Sequence, residues 1–584
     1  MEALSTKQIG PLVVSFVILY IIQKVIGFRR AVNSVGGLPG YRTIMCQRTF
    51  LANSLPPITG LTPGKNHTFI GKFKIYEGFG WDIISNVAAF PCDATLNVAN
   101  AAAIKEITSS RARFPKPVEM YASLLFFGKN IIASEGELWK KYRKIASPAF
   151  SDRNNKLVWD ETVRIMLDLF KNVWGSQEAI TIDHVVDVTL PIALFVISVA
   201  GFGRRISWQD DIGVPAGHQM TFKEALHEVS TGIFIKLAVS KWAMGLNEYF
   251  RKIRLAFAEL DVGIVIFFAT RHDVIVFLLQ RYMLEMIANR RNAEKKEERY
   301  DLFSSLLDAN DDTTSGEPPL TERELIGNIF IFLLAGHETT AHTLAFTFGM
   351  LAIHQDEQEA LYQHIRSIIP DGRIPTYEEM PLLTQSMAVF YETLRMFPPV
   401  NAIPKVSAED TTLMSESPST GESRVIPIPR GTYIHINIVG LHYNPRYWKD
   451  PEEFKPSRFR EDWPRDAFLP FSGGARACIG RKFFETEGIV ILTMLVSQYK
   501  IELKDEPEFA NETLEEKKAR IFASKPGVTL ALVINSLPLI SRVTQSVEQS
   551  HSNATGFQAK VTDTPISIQF DGWPTCIGKS HSAR

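Results

Sequence analysis

The ten residues 471–480, FSGGARACIG, set one cysteine, Cys478, between glycines and directly ahead of a helix-compatible run that starts at Arg481. A thiolate is stabilised at such a place, because exposed backbone N–H groups and the helix dipole both favour an anion. Gly474 and Gly480 let the backbone come close to a flat group, and Arg476 supplies a cation for a carboxylate. Phe471 opens the run. The other cysteines are Cys46, Cys92 and Cys576, and no two of the four stand at C-x-x-C spacing. Neither a disulfide framework nor a structural zinc site is therefore expected, and the chain reads as reduced and cytosol-facing.

Composition is that of a globular protein. In 584 residues, 63 Lys+Arg stand against 64 Asp+Glu, a formal net charge of −1, with 45% hydrophobic and 22% charged residues. This argues against disorder and against a nucleic-acid binder, which would be basic. Residues 157–173 and 322–354 carry apolar side chains at helical spacing. Val425–Ile438 alternates like strands, with Pro427, Pro429 and Gly431 marking a turn. The expectation is a mainly α chain with a smaller β part.

Inside the long apolar helix that starts near Leu325 lies Ala335-Gly336-His337-Glu338-Thr339-Thr340. Glycine and threonine in mid-helix lower helix propensity, and a threonine hydroxyl can bond back to the carbonyl a turn earlier. An acid beside a hydroxyl suits proton delivery into an otherwise apolar pocket. His337 and His342 imitate a zinc-protease signature, but they stand at i, i+5, about 140° apart around a helix of about 3.6 residues per turn. That motif needs i, i+4 so that both nitrogens share one face, and the metalloprotease reading fails on geometry.

Residues 471–480 resemble the haem-binding loop of the cytochrome P-450 superfamily, F-x-x-G-x-R-x-C-x-G, with every fixed position filled. Residues 335–339 resemble the family's oxygen-activation segment, A/G-G-x-D/E-T. Glu392-Thr-Leu-Arg395 and Pro456-Ser-Arg458-Phe459 resemble its E-x-x-R and P-x-R-F elements, with Ser457 in place of the commoner glutamate. Trp139 and Arg143 resemble its W-x-x-x-R pair.

The resemblance implies roles for these residues. Cys478 is the axial thiolate of the haem iron, whose electron donation favours O–O cleavage. Thr339 and Glu338 manage the proton relay. Glu392, Arg395 and Arg458 lock together behind the haem as structural residues. Arg143, with Trp139, grips a haem propionate, and Lys405, ten residues after Arg395, is a second basic partner. Lys140, Lys141 and Lys144, with Arg481 and Lys482, form a docking patch for an acidic electron donor.

The N-terminus reads as a membrane anchor. Residues 9–28, IGPLVVSFVILYIIQKVIGF, are long enough for one crossing of a core about 30 Å thick. Lys24, the only charge in the stretch, lies towards its end and Arg29 and Arg30 follow it, so residues 1–8 are expected in the lumen and the remainder in the cytosol. Residues 29–59 read as a hinge around Gly36-Gly37-Leu38-Pro39-Gly40, and 60–535 as the catalytic domain. Within it 262–280, VGIVIFFATRHDVIVFLLQ, is an atypical apolar insert, either membrane-contacting or a translated intron. Without it Ile253, Phe257, Leu260, Met283 and Ile287 keep one helical face. Residues 536–584, with eight Ser and five Thr, are expected to be a poorly ordered extension.

By this resemblance the chain is a fungal or other eukaryotic microsomal monooxygenase, single-pass in the endoplasmic reticulum membrane and holding one haem b. Electrons come from NADPH through NADPH–cytochrome P-450 reductase, with cytochrome b5 as a further donor. One oxygen atom of O2 enters a lipophilic substrate, in secondary metabolism or xenobiotic oxidation. Phe114, Tyr121, Leu124–Phe127, Val400 and Ile403, in the variable segments 110–130 and 400–404, suit a terpenoid, steroid, polycyclic aromatic or fatty acyl chain. Segment 230–250 belongs to the same recognition surface. Two alternatives stand beside this reading: a haem-thiolate isomerase or dehydratase, which would tend to lack the Glu338–Thr339 pair, and a haem binder damaged by the insert.

Overall fold

The computed structural model describes residues 6–206, 208, 221, 281–291, 301–311, 318–417, 420–525, 533–534 and 539–543. The insert 262–280, the segment 230–250, and the face positions 253, 257 and 260 lie outside them. Met283 and Ile287 lie within, on a helix Arg281–Arg291, and both are buried as their spacing predicts. The chain forms two compact units. One comprises Met1–Leu125, Ile131–Lys140 and Leu394–Arg481; the other comprises Phe126–Asn130, Lys141–Thr393 and Lys482–Arg584.

The first unit begins with a helix, α1 (Thr6–Ser34), and holds a five-stranded sheet. In spatial order its strands are β1 (Gly40–Met45), β2 (Ile83–Phe90), β3 (Asp93–Val98), β8 (Tyr433–Asn437) and β5 (Ala402–Val406). β1 runs parallel to β2 and β3 parallel to β8; the other neighbours are antiparallel. β6 (Thr411–Glu416) and β7 (Ser423–Ile428) make a separate hairpin, so the alternation read over 425–438 is two strands with Pro429 and Gly431 in the turn between them, whereas Pro427 lies within β7 opposite Thr412. Helix α2 (Ala101–Ser109) follows β3 at once, and Asn100 caps it by accepting from the Ala103 N–H at 2.9 Å.

Residues 29–59 depart from the expected hinge. α1 continues to Ser34, the chain reverses at Gly36 and Gly37 (φ +64° and +62°), and β1 joins the sheet from Gly40. Backbone pairing with β2 ties this stretch into the sheet, so the sheet-forming chain starts at Gly40 rather than at 60.

The second unit is built on α6 (Glu322–Ile353), 32 residues buried almost all round. Its start is a capping box in which Thr321 accepts from the Glu324 N–H while Glu324 accepts from the Thr321 N–H. It is long and apolar enough to cross a membrane, but 78% of its most apolar stretch is buried within the protein, as a core helix requires. α4 (Asp152–Asp168) is capped by Ser151, and α5 (Val186–Val196) lies on α6 with Leu190 and Ala193 against Ala341. α7 (Gln355–Ile368) follows α6, and α8 (Thr384–Met396) and α9 (Arg481–Gln498) meet at Gly488, where an added Cβ would come within 2.3 Å of the Phe390 ring.

A three-stranded sheet closes this unit, in the order β4 (Ala179–Ile182), β10 (Leu539–Val543), β9 (Tyr499–Leu503). β10 corrects the expected boundary of the C-terminal extension. Ser/Thr content suggested disorder from Ser536, yet Leu539–Val543 is the central strand, with antiparallel partners on both edges. Alternating Leu539, Ser541 and Val543 pair with Leu503, Ile501 and Tyr499, and Leu539 is 1% exposed. Residues 544–584 lie outside the described residues.

Candidate active site

The cysteine loop is folded by its own backbone. The Cys478 N–H donates to the Phe471 carbonyl at 2.8 Å, the Ala477 N–H to Gly474 at 3.1 Å, and the Ser472 N–H to Leu469 at 3.2 Å. His442 Nε2 accepts the Leu469 N–H at 2.9 Å and anchors the loop's start. Gly474 is the glycine that the geometry demands: its φ is +64°, and a Cβ would stand 2.2 Å from the Thr108 carbonyl of α2. Phe471 is buried beneath the Arg481 guanidinium, 5.0 Å from its ring centroid. Gly480 is half-buried immediately before α9, and the Cys478 thiol is exposed three residues ahead of that helix, where N-terminal N–H groups favour its anion.

Around Arg476 the first unit gathers four cations, Arg111, Lys116, Lys405 and Arg476, with one carboxylate, Glu135. Arg476 ion-pairs with Glu135 at 3.0 Å and donates to the Ser134 carbonyl. Trp139, on α3 (Gly136–Ala146), lies between the guanidinium groups of Arg111 and Arg476, 4.4 and 4.7 Å from its ring. Lys405 donates to the Phe114 carbonyl at 3.1 Å, and Lys116 to the Ile132 carbonyl at 3.0 Å with the Tyr121 ring 4.1 Å away. Burial, reinforced by Arg476 and Lys405, lowers Lys116 to about 7; burial and Arg476 lower Lys405 to about 8. Two buried nitrogens, Arg476 Nε and Arg111 Nη1, have no hydrogen-bond partner. Surplus positive charge and unsatisfied donors call for an anion, and the two carboxylates of a haem fit that demand.

In α6 both threonines bond back one turn as the sequence predicts. Thr339 Oγ1 donates to the Ala335 carbonyl at 2.8 Å and Thr340 Oγ1 to Gly336 at 2.9 Å. Thr339 is half-buried and Glu338 buried. His337 Nδ1 lies 2.8 Å from the Leu333 carbonyl, and burial lowers its pKa to about 4, so it is neutral at pH 7.

The Cytochrome P450 family profile matches residues 92–527. A Postia placenta protein, Cytochrome P450 monooxygenase 124, is 51% identical over 521 residues, covering 89% of this chain and 96% of its own length. The chain belongs to the cytochrome P450 family. Rat Cytochrome P450 4A2 is 28% identical over 389 residues, 65% of this chain and 71% of that one. Among solved structures, the cytochrome P450DA heme domain superposes with a TM-score of 0.66 over 88% of this chain and 98% of that one, at 20% identity, which bears on the fold alone. The chain is thus a haem-dependent monooxygenase, and the family pattern supplies its electrons from NADPH through a reductase.

The remaining family elements of this P450 have firm places. Arg395 is fully buried and donates to three carbonyls, of His442 at 2.9 Å, Pro451 at 2.8 Å and Glu453 at 3.1 Å. Arg458 reaches the same segment, donating to the carbonyls of Lys449, Asp450 (2.7 Å) and Glu453 (3.4 Å). Two arginines thus tie down the backbone of residues 449–453, and Glu392, one turn before Arg395 on α8, is itself fully buried. Arg143 is half-buried on α3, one turn beyond Trp139. Of the basic docking residues, Lys141 is engaged: its ammonium lies 3.6 Å from Glu324 and donates to the Pro319 carbonyl at 3.1 Å. Lys140 pairs with Glu137 at the surface.

Four residues of the site escaped sequence reasoning. Arg111, Lys116 and Glu135 carry no motif, and only folding brings them to Arg476. Glu487 on α9 is fully buried beside the Thr340 hydroxyl, and burial raises its carboxyl well above the usual range. Its signal in the sequence, an acid nine residues past the cysteine in an apolar helix, is weak because most helical glutamates face water.

Proposed function

We propose that this P450 is anchored in the endoplasmic reticulum membrane by α1, faces the cytosol, and inserts one oxygen atom of O2 into a lipophilic natural product or foreign aromatic. The exposed thiol of Cys478 at the head of α9 carries the reading. When bound, haem supplies a thiolate-ligated iron at which O2 is activated. Cys478 would ligate that iron; Arg476 and Lys405, with Arg143 and Trp139, would hold the haem carboxylates; Phe471, Gly474 and Gly480 would shape the loop that presents the thiolate. Thr339 and Glu338 hold and pass protons at the Thr339 Oγ1 and the Glu338 carboxyl, in a pocket that excludes bulk water. Glu392, Arg395 and Arg458 brace the fold behind the loop.

The anchor is supported by side chains that water would not tolerate in such number: Phe16 is 72% exposed and Leu19 65%, and Val14, Val17, Ile18, Ile21, Ile22, Val25 and Ile26 are all exposed on one helix. Buried Phe127 and Phe330, 4.1 Å apart between ring centroids, support a lipophilic ligand beside the predicted recognition segment. NADPH–cytochrome P450 reductase and cytochrome b5 are the proposed electron donors.

The deciding experiment is the carbon-monoxide difference spectrum of the reduced, membrane-expressed chain. A strongly red-shifted Soret band is expected, lost on Cys478→His while haem is retained. A histidine-type band in the unaltered chain overturns the ligand assignment and favours a damaged haem binder. Loss of cofractionation with microsomes on deleting residues 1–34 tests the anchor.

A further inference from the structure

Three buried polar groups of α5, α6 and the turn that follows α5 have no protein partner. His342 is 5% exposed and its Nδ1 is unbonded; Thr189 and Ser198, 0% and 1% exposed, carry hydroxyls that are likewise unbonded. An orphaned buried polar atom is costly, and native proteins leave few without a water or a function.

The helix register aligns these groups. An added Cβ at Gly336 would stand 3.0 Å from the Ile197 side chain, and Ala341 packs on Ala193 and Leu190. Numbers rise along α6 as they fall along α5, so the two run antiparallel. Ser198 therefore sits at the level of Gly336–Glu338 and Thr189 at that of Ala341–His342. Glu338 and His342, at i and i+4, share one face of α6. At the far end His184, half-buried just before α5, is within electrostatic reach of His342. Its neighbour Asp183 is exposed and ion-paired with Lys504 at 2.5 Å.

We propose that water held against His342, Thr189 and Ser198 forms a proton path that runs from half-buried His184, at the start of α5, to Glu338. The inference rests on reading Glu338 and Thr339 as the proton-delivering pair. Each turnover takes two protons from solvent and two electrons from the NADPH-reduced partner, and the second oxygen atom leaves as water; the path moves protons only. Burial, with His184 and His337 nearby, lowers His342 to about 3, so the imidazole stays neutral and orders water instead of storing charge. His342 is thus a positioning residue.

The test uses the haem-loaded full-length protein with its reductase, and reads NADPH-driven O2 consumption in H2O and D2O. His342→Leu, which fills the space without a polar atom, is expected to slow the rate about tenfold and raise the solvent isotope effect. His342→Asn, which can still bond water, is expected to restore most of both. On one path the double variant H342L/E338Q is no slower than E338Q alone. An H342L variant with wild-type rate and isotope effect, or slowing that adds to that of E338Q, overturns the path. An unimpaired E338Q variant overturns the underlying acid–hydroxyl reading and the path with it. Should H342L fail to load haem, the pair Thr189→Val and Ser198→Ala is read in the same way.

Discussion

Arg476 and Glu135 form an ion pair at 3.0 Å inside a cluster where cations outnumber carboxylates four to one. Glu135 also accepts the backbone N–H groups of Lys116 at 2.8 Å and Gly136 at 3.2 Å. These bonds and Arg476 hold its carboxyl below the ordinary range, despite burial. One side chain thus neutralises the arginine of the cysteine loop and fixes the lysine opposite.

Glu135→Ala should destabilise the fold by about 2 kcal/mol, since it leaves a part-buried guanidinium without its counter-charge and two backbone donors without an acceptor. Denaturant unfolding measures it. Glu135→Gln, which keeps hydrogen bonding, should lose less.

Haem affinity should fall as pH rises from about 7 to about 9. Lys116 is lowered to about 7 by burial, then by Arg476 and Lys405. A carboxylate placed beside it raises that pKa again, so binding takes up a proton and weakens as protons become scarce. Haem transfer rates to apomyoglobin across this range report the slope. Lys116→Gln should lessen it, leaving the share of Lys405, which is lowered to about 8, and the dimethyl ester of haem should abolish it.

Arg395→Ala should cost about 3–5 kcal/mol, because one buried and two part-buried carbonyls lose a charged donor together. Arg395→Lys should be nearly as damaging, since an ammonium lacks the planar fork that spans His442, Pro451 and Glu453. Yield of protein with the red-shifted carbon-monoxide band is the readout.

Glu487→Gln should stabilise the protein at pH 8 more than at pH 5. Burial raises the folded pKa of Glu487 far above that of the unfolded chain, so folding takes up a proton above the ordinary carboxylate range and weakens as pH rises. The advantage of the amide grows by up to about 1.4 kcal/mol per pH unit in that window. Melting temperatures at the two pH values decide it, and an unchanged difference would refute a protonated Glu487.

Thr339→Ala should divert electrons to hydrogen peroxide while NADPH consumption continues, with product per NADPH lowered at least about tenfold. Peroxide yield per NADPH in the reconstituted system measures it. Unchanged coupling would remove Thr339 from the relay.

Much of this protein was legible in its sequence because the signals are local. A glycine-flanked cysteine ahead of a helix, threonines that bond back one turn, and 32 residues of apolar pattern each depend on neighbours within a few positions, and Gly474 and α6 stand where those signals place them. Errors arose where partners are distant. Residues 29–59 read as a hinge from their glycines, but β1 is held by β2, which begins about forty residues later. The Ser/Thr content past Ser536 hid a strand whose partners lie at 179–182 and 499–503.

By itself the sequence determined the family, and it marked the Cys478 loop and the Glu338–Thr339 segment, since each is written in contiguous residues. Only the tertiary structure decided which unmarked groups serve them. Arg111 and Lys116, from the loop after α2, and Glu135, from the loop before α3, meet at Arg476 because chain packing brings the two loops there. His342 and Glu487 take their character from burial, which removes bulk water from a polar group and so sets its charge.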